Sequence, residues 1–346
     1  MKKRALILAL AGIIVGSLTG CGSLKDTDVV AEVGNQEITA GEANFYARYV
    51  QAQYETYYSA YLGGDDMWTK EGSDGKTYEE SVKSTILDEL ENMLVLEKHM
   101  KDYDVSLTKA EKKAVSDAAA EFVKGNSEKK RAKVSGTEEN AKRIMTLMTI
   151  EQKMRSAIEA DADTNVSDDE AAQKSMQYVM FSYKKSSDSS QDSSETVSDK
   201  EKKEIKQKAE TFAEGAKKAD DFSAYATEQG QEAQTATFDA DSTSPSADVI
   251  KAADKLEEGG TTDVIETEEG CYVARVTSLL DRDATDQKKQ SIISDRQTKL
   301  YEKTEKKWKK KEDITVHKNV WKKIDFTKLS VKTKVDASTE DTTSGN

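Results

Sequence analysis

Proline is almost missing from this sequence, with Pro245 the only one in 346 residues. Since proline removes a backbone donor and clashes with the preceding turn, its absence lets helices run long and unbroken. Histidine is nearly as scarce. His99 and His317 stand far apart in the chain, so a histidine-built metal site or a Ser-His-Asp triad has little material. Gly259-Gly260 lacks the spacing of a phosphate loop, and no cofactor or metal is expected. Basic charge is in deficit: 52 Lys+Arg against 65 Asp+Glu give a net charge of −13. A balance that acidic argues against nucleic-acid binding. Long apolar runs are missing too, and the longest, Ala5–Val15, is too short to span a bilayer.

What the N-terminus does hold is a leader. Met1-Lys-Lys-Arg4, the run Ala5–Val15 and then Leu18-Thr-Gly-Cys21 read as a signal peptide ending in a motif similar to the bacterial lipobox. On that reading residues 1–20 are removed and Cys21 becomes the mature N-terminus, carrying diacylglycerol with acyl chains of the palmitate class. One acyl chain gives only marginal membrane residence, so the second matters. Residues 21–28 form a tether, and the body is expected on the extracytoplasmic face of the cell membrane. Losing Lys2, Lys3 and Arg4 takes the net charge from −13 to −16. If Cys21 carries lipid, Cys271 has no partner and no internal disulfide is available. Cys271 then reads as a small core residue on a strand.

Residues 29–165 read as a helical arm introduced by a hairpin. Val29–Thr39 holds two alternating runs around Gly34-Asn35. Ser/Thr followed three residues later by Glu, the signature of a capping box, occurs at Thr39, Thr77, Thr108, Ser135, Ser167 and Ser198. The helix after Thr39 is dense in aromatics, with Tyr46, Tyr49, Tyr57 and Tyr61 among them, in a chain only 7% aromatic. Such a face either packs into a core or offers an apolar groove to unfolded polypeptide, since tyrosine joins contact area to a polar tip. Helices after Thr77 and Ser135 carry Ile86, Leu90, Leu94 and Ile144, Leu147, Met154 at helical spacing.

Residues 170–285 read differently. Met176–Tyr183 and Gly270–Val276 are β-branched and aromatic and read as paired strands. Between them lie the serine-rich loop 184–195, expected to be disordered, helices over 200–218, 220–228 and 246–256, an edge strand at Thr235–Phe238, and a hairpin strand at Thr262–Ile265. Residues 286–311 form a long basic helix, either a solvated face or an attraction for anionic surfaces. Residues 286–330 hold that helix and a strand at Val320–Phe326, and 331–346 read as a disordered tail.

This order of elements, with Val29–Thr39, Tyr178-Val-Met-Phe181, Asp221-Phe-Ser-Ala-Tyr-Ala226, Leu256-Glu-Glu-Gly259 and Glu269-Gly-Cys-Tyr-Val273, resembles the PrsA-type foldase lipoproteins of Gram-positive bacteria and, more distantly, SurA-like chaperones. The resemblance covers nearly all of the mature chain. It implies an α+β protein in which N- and C-terminal arms form a chaperone domain around an inserted parvulin-like four-stranded antiparallel sheet. It implies a peptidyl-prolyl isomerase module, partly folded exported polypeptides as partners, and an oligomeric state left open between monomer and homodimer. Two positions depart from the pattern. Tyr178 and Tyr272 stand where that family carries histidines, and with Phe238 they mark the expected pocket of a degenerate module. Client contacts would fall to Tyr46, Tyr49, Tyr57 and Tyr61. A solute-binding lipoprotein of a transporter, or a structural surface lipoprotein, is the alternative, though the former normally needs repeated strand-helix alternation in two lobes.

Overall fold

The computed structural model describes residues 13–15, 24–184 and 197–333. Cys21, the serine-rich loop beyond Lys184 and the end of the tail lie outside the described residues. The fold is mixed α+β and divides into two units, Met1–Ala162 with Gln297–Asn346, and Asp163–Arg296. The insert expected at 170–285 lies within the second.

In the first unit a short strand, β1 (Ile13–Val15), precedes the hairpin of β2 (Val29–Val33) and β3 (Gln36–Thr39). Val33 pairs with Gln36, and Gly34 between them sits at φ +62, where a side chain is disfavoured. Helix α1 (Ala40–Gln53) begins at the Thr39 box: the Glu42 N–H donates to Thr39 Oγ1 at 3.3 Å, and the Thr39 N–H to Glu42 Oε2 at 2.8 Å. A π-helical turn, Tyr54–Tyr58, carries α1 into α2 (Ser59–Leu62), which Gly63 ends at φ +105. Then come α3 (Tyr78–Lys98), α4 (Lys109–Gly125), α5 (Glu128–Lys133) and α6 (Glu138–Glu159).

The boxes at Thr77 and Thr108 form as the sequence suggests. The one at Ser135 does not. Thr137 caps α6 instead, accepting from the Asn140 N–H at 3.0 Å. Ser135 is buried at φ +48, its hydroxyl donating to Asp26 Oδ1 and accepting from Asn44 Nδ2. That oxygen is already committed, so the cap moved two residues on.

The core of this unit is formed by β2, β3 and the inward stripes of α1, α3, α4 and α6, with Phe45 edge-on to Phe122 at 5.1 Å. The apolar spacing read on α3 and α6 is this buried face: Ile86, Leu90, Leu94, Ile144 and Leu147 are all nearly inaccessible.

The second unit holds α7 (Asp168–Ala171), β4 (Lys174–Ser182), α8 (Asp199–Ala216), α9 (Phe222–Glu228), β5 (Gln234–Phe238), α10 (Ala247–Ala253), β6 (Ile265–Glu266) and β7 (Gly270–Ser278). Its four strands lie in the order β5-β4-β7-β6, every pairing antiparallel. Gly270 opens β7 at φ +157, and a Cβ there would stand 2.3 Å from the Phe181 carbonyl oxygen. The close β4–β7 approach therefore requires glycine.

The chain returns to the first unit along α11 (Arg282–Lys309), longer at its start than the 286–311 helix expected. Tyr301 of α11 packs with Leu96, Ile150, Met154 and Ile158. Strand β8 (Ile314–Val316) then pairs with β2, and α12 (Lys318–Trp321) follows. The strand expected at Val320–Phe326 is thus corrected. Val320 and Trp321 are helical, and the backbone beyond is held by side chains: Lys83 donates to the Ile324 carbonyl, Arg48 to Asp325, and Gln51 to Phe326 and Leu329. The tail boundary is corrected as well. Val331–Thr333, placed in a disordered tail, forms β9, antiparallel to β1. Its fully buried Val331 packs in the core, giving it a stabilising term that composition does not show.

Candidate functional site

The residues singled out from the sequence fall in two places, one in each unit. In the second unit, alternation along β4 sends Met176, Tyr178 and Met180 to one face and Val179 and Phe181 to the other. The first face meets Tyr272, Ala274 and Val276 of β7, Phe238 of β5, and Val249, Ile250 and Ala253 of α10. The second meets Phe212 of α8 and Phe222 of α9.

The structure brings Tyr178, Tyr272 and Phe238 onto one face. Tyr178 pairs with Ala274 and Met180 with Tyr272, so the two tyrosines are diagonal neighbours with ring centroids 6.1 Å apart. They are not equivalent. Tyr272 is 2% exposed and Phe238 fully buried, both packed as core, whereas Tyr178 is half-buried. The Tyr178 hydroxyl donates to Gln234 Oε1 at 2.6 Å. Burial, then the nearby Glu269 carboxylate, pushes the Tyr272 phenol above its ordinary range. The Tyr272 phenol would therefore not act as a base near neutrality, though both hydroxyls can exchange hydrogen bonds.

A groove of about 460 Å³ lies on the opposite face, lined by Phe181, Phe212, Gln207, Thr211, Gln229 and Gln231. The sequence reading missed it. Its signal is the glutamine pair after α9, too common a residue type to single out.

Cys271 is fully buried, with Sγ 3.2 Å from the Tyr183 hydroxyl. That hydroxyl donates to Glu266 Oε1, whose other oxygen accepts from Lys206. Burial raises the Cys271 thiol, so little nucleophilic thiolate forms. Arg275 fixes the sheet to α8, donating to the Ala216 carbonyl and to Thr261 Oγ1 while stacking over Phe222. A cation is favoured at this helix C-terminus.

In the first unit, Tyr46 and Tyr49 face inward at 7% and 8% exposure. The Tyr46 hydroxyl donates to Glu89 Oε2 at 2.9 Å. A polypeptide has no access to these two rings in this conformation. Tyr57, Tyr58 and Tyr61 are 58%, 53% and 88% exposed. They stand on the π-helical turn and α2. His99 stacks on Trp308 at 4.1 Å between Asp102 and Glu312, and His317 bonds to Glu32. Among the described residues no group of three or more His, Cys, Asp or Glu side chains is placed to hold a metal, and no helix is long and apolar enough to cross a membrane.

A strand, two helices, an edge strand, a helix and a closing hairpin on an antiparallel sheet is a topology that can be compared with known families. Residues 166–290 match the PPIC-type PPIASE domain. No curated protein matches the chain. Solved structures to which the chain is similar include the foldase protein PrsA of Streptococcus pneumoniae, 21% identical over 75% of this chain and 99% of that one, TM-score 0.32. PrsA of Lactococcus lactis is 15% identical over 87% and 98%, TM-score 0.37. A SurA-like chaperone structure from Campylobacter jejuni is 11% identical over 83% and 98%, TM-score 0.29. The matched PPIC-type domain spans the whole four-stranded sheet and contains Tyr178, Tyr272 and Phe238.

Proposed function

We propose that this chain is a PrsA-type folding factor, anchored outside the cell membrane through lipid on Cys21, that holds partly folded exported polypeptides. The observation that carries the reading is an isomerase-family domain at 166–290 set between the two halves of a helical unit that exposes Tyr57, Tyr58 and Tyr61. Exposed aromatics suit transient contact with apolar side chains of many sequences. The mature chain, beginning at residue 21 with Cys21→Ser to keep it soluble, is expected to suppress light scattering of an aggregating client at stoichiometric amounts. Unchanged scattering across several clients would overturn the reading.

The inserted domain is proposed to be a weak catalyst. Prolyl isomerisation breaks no covalent bond; it crosses a barrier of about 18–20 kcal/mol by twisting an amide. Catalysis needs a pocket that binds the twisted form better than the planar one. Tyr272 and Phe238 fill the space on their face of the sheet, and the Tyr178 hydroxyl is engaged by Gln234. In a proline-peptide assay the mature chain should therefore accelerate isomerisation by less than about tenfold, on the order of 1 kcal/mol of barrier. A larger acceleration that Tyr178→Phe reduces would restore an efficient active site there.

A further inference from the structure

The chain's own N-terminal strand points to where and how a client is held. Among the described residues, strand β9 pairs with β1 alone, in the register Ile13 to Thr333, Ile14 to Lys332 and Val15 to Val331. Among the described residues no strand lies on its other edge. The Val331 N–H donates to Glu55 Oε2 at 2.8 Å and the Thr333 N–H to Thr56 Oγ1 at 2.9 Å, both acceptors belonging to the π-helical turn. Successive backbone groups of a strand point to opposite edges. The Lys332 N–H and C=O therefore face β1, opposite Ile14.

Ile13–Val15 falls inside the leader expected to be removed at Cys21. Its departure leaves an edge with an open donor and acceptor at Lys332, beside the turn that presents Tyr57 and Tyr58. An unpaired edge is a template for another extended chain. The segment seated there is Ile-Ile-Val, three β-branched residues, which names the chemistry of the occupant.

We propose that the β9 edge takes up an extended, β-branched stretch of client polypeptide by antiparallel strand addition, and that residues 13–15 fill this slot until the leader is removed. The proposal rests on the folding-factor reading above and assigns it a site and a binding mode.

The test uses a fluorescent peptide of residues 10–18, the chain beginning at Gly22, and the whole chain with Cys21→Ser to block processing. Peptide binding, read by anisotropy, should be at least tenfold tighter to the shortened chain than to the whole chain, whose slot is occupied. Lys332→Pro, which deletes the N–H facing the slot, should weaken binding at least tenfold, while Lys332→Ala should leave it within twofold. The Lys332 amide should resist hydrogen exchange in the whole chain, exchange freely in the shortened chain, and resist again with peptide bound. This second readout stands even if the proline variant misfolds. Equal binding to both chains, or no peptide-induced protection at Lys332, overturns the proposal. If client scattering is still suppressed, the folding-factor reading survives that failure; if suppression is absent too, both fall.

Discussion

Replacing Glu55 by alanine should lower the melting temperature of the helical unit by roughly 8–15 °C. Glu55 is 6% exposed, and each carboxylate oxygen accepts twice. Oε1 takes the Trp68 indole N–H at 2.8 Å and the Gln51 amide at 2.6 Å; Oε2 takes the Ser330 hydroxyl at 2.7 Å and the Val331 N–H at 2.8 Å. Alanine strands these donors together, and a buried donor without a partner costs about 1–3 kcal/mol. Water entering the vacated volume recovers part of this, leaving a loss of about 4 kcal/mol. At about 2–4 °C per kcal/mol for a unit of this size, that gives the expected shift. Glu55→Gln, which keeps an acceptor, should lose about half as much. Calorimetry of the mature chain would measure both, and a shift for Glu55→Ala below about 3 °C would show that the network does not hold the C-terminal segment.

The same network explains what the sequence could not tell. Asn44, Arg48, Gln51 and Glu55 follow one another at spacings of four, three and four, so they share a helix face. Four polar residues on a stripe normally mark the solvent side. Here that side is buried, because it receives backbone carbonyls and N–H groups from residues 325–331, nearly three hundred positions later. Local pattern cannot foresee a partner so distant, and so both the Val320–Phe326 strand and the start of the tail were misplaced. Elements set by their neighbours in sequence are legible, except where distant partners claim the capping oxygen, as Asn44 and Asp26 do at Ser135. The Gly34 hairpin, the boxes at Thr39, Thr77, Thr108 and Ser198, and the strands that became β4 and β7 all arise from local chemistry.

The site was legible in a similar, partial way. Period-two alternation is enough to put Tyr178 and Tyr272 on one face of adjoining strands once their pairing is known. It says nothing about how deeply each sinks, and α10 covers Tyr272 while leaving Tyr178 half-buried. Among the tyrosines of the first helix, spacing gave no warning that regular winding stops at Tyr54. The π-helical turn there separates buried Tyr46 and Tyr49 from exposed Tyr57 and Tyr61.

Glu151 sets the second large effect, and its sign runs against the usual carboxylate. It lies on α6, facing Glu89 of α3 and Glu305 of α11, with Arg155 one turn on stacked over the Tyr301 ring at 3.9 Å. The hydroxyls of Tyr46 and Tyr301 are taken up by Glu89 and Glu305, and Lys309 is engaged by Asp88 and Glu91. Burial first, then the Glu89 and Glu305 charges, push Glu151 up to about 7, with Arg155 opposing in part. Burial likewise raises Glu89 and Glu305. The unfolded chain releases the Glu151 proton near the ordinary 4.5, while the folded chain keeps it to about 7. Between those values the folded state binds more protons, so stability falls as pH rises and the loss is complete above about 7. At 1.36 kcal/mol per unit, with allowance for partial exposure, the loss by pH 8 is about 2–3 kcal/mol. Glu151→Gln keeps the shape without the charge. It should match the parent at pH 4.5 and exceed it by about 2–3 kcal/mol at pH 8, read from urea midpoints at the two pH values. Equal midpoints at pH 8 would mean that neither burial nor the Glu89 and Glu305 charges hold the Glu151 proton in the folded state.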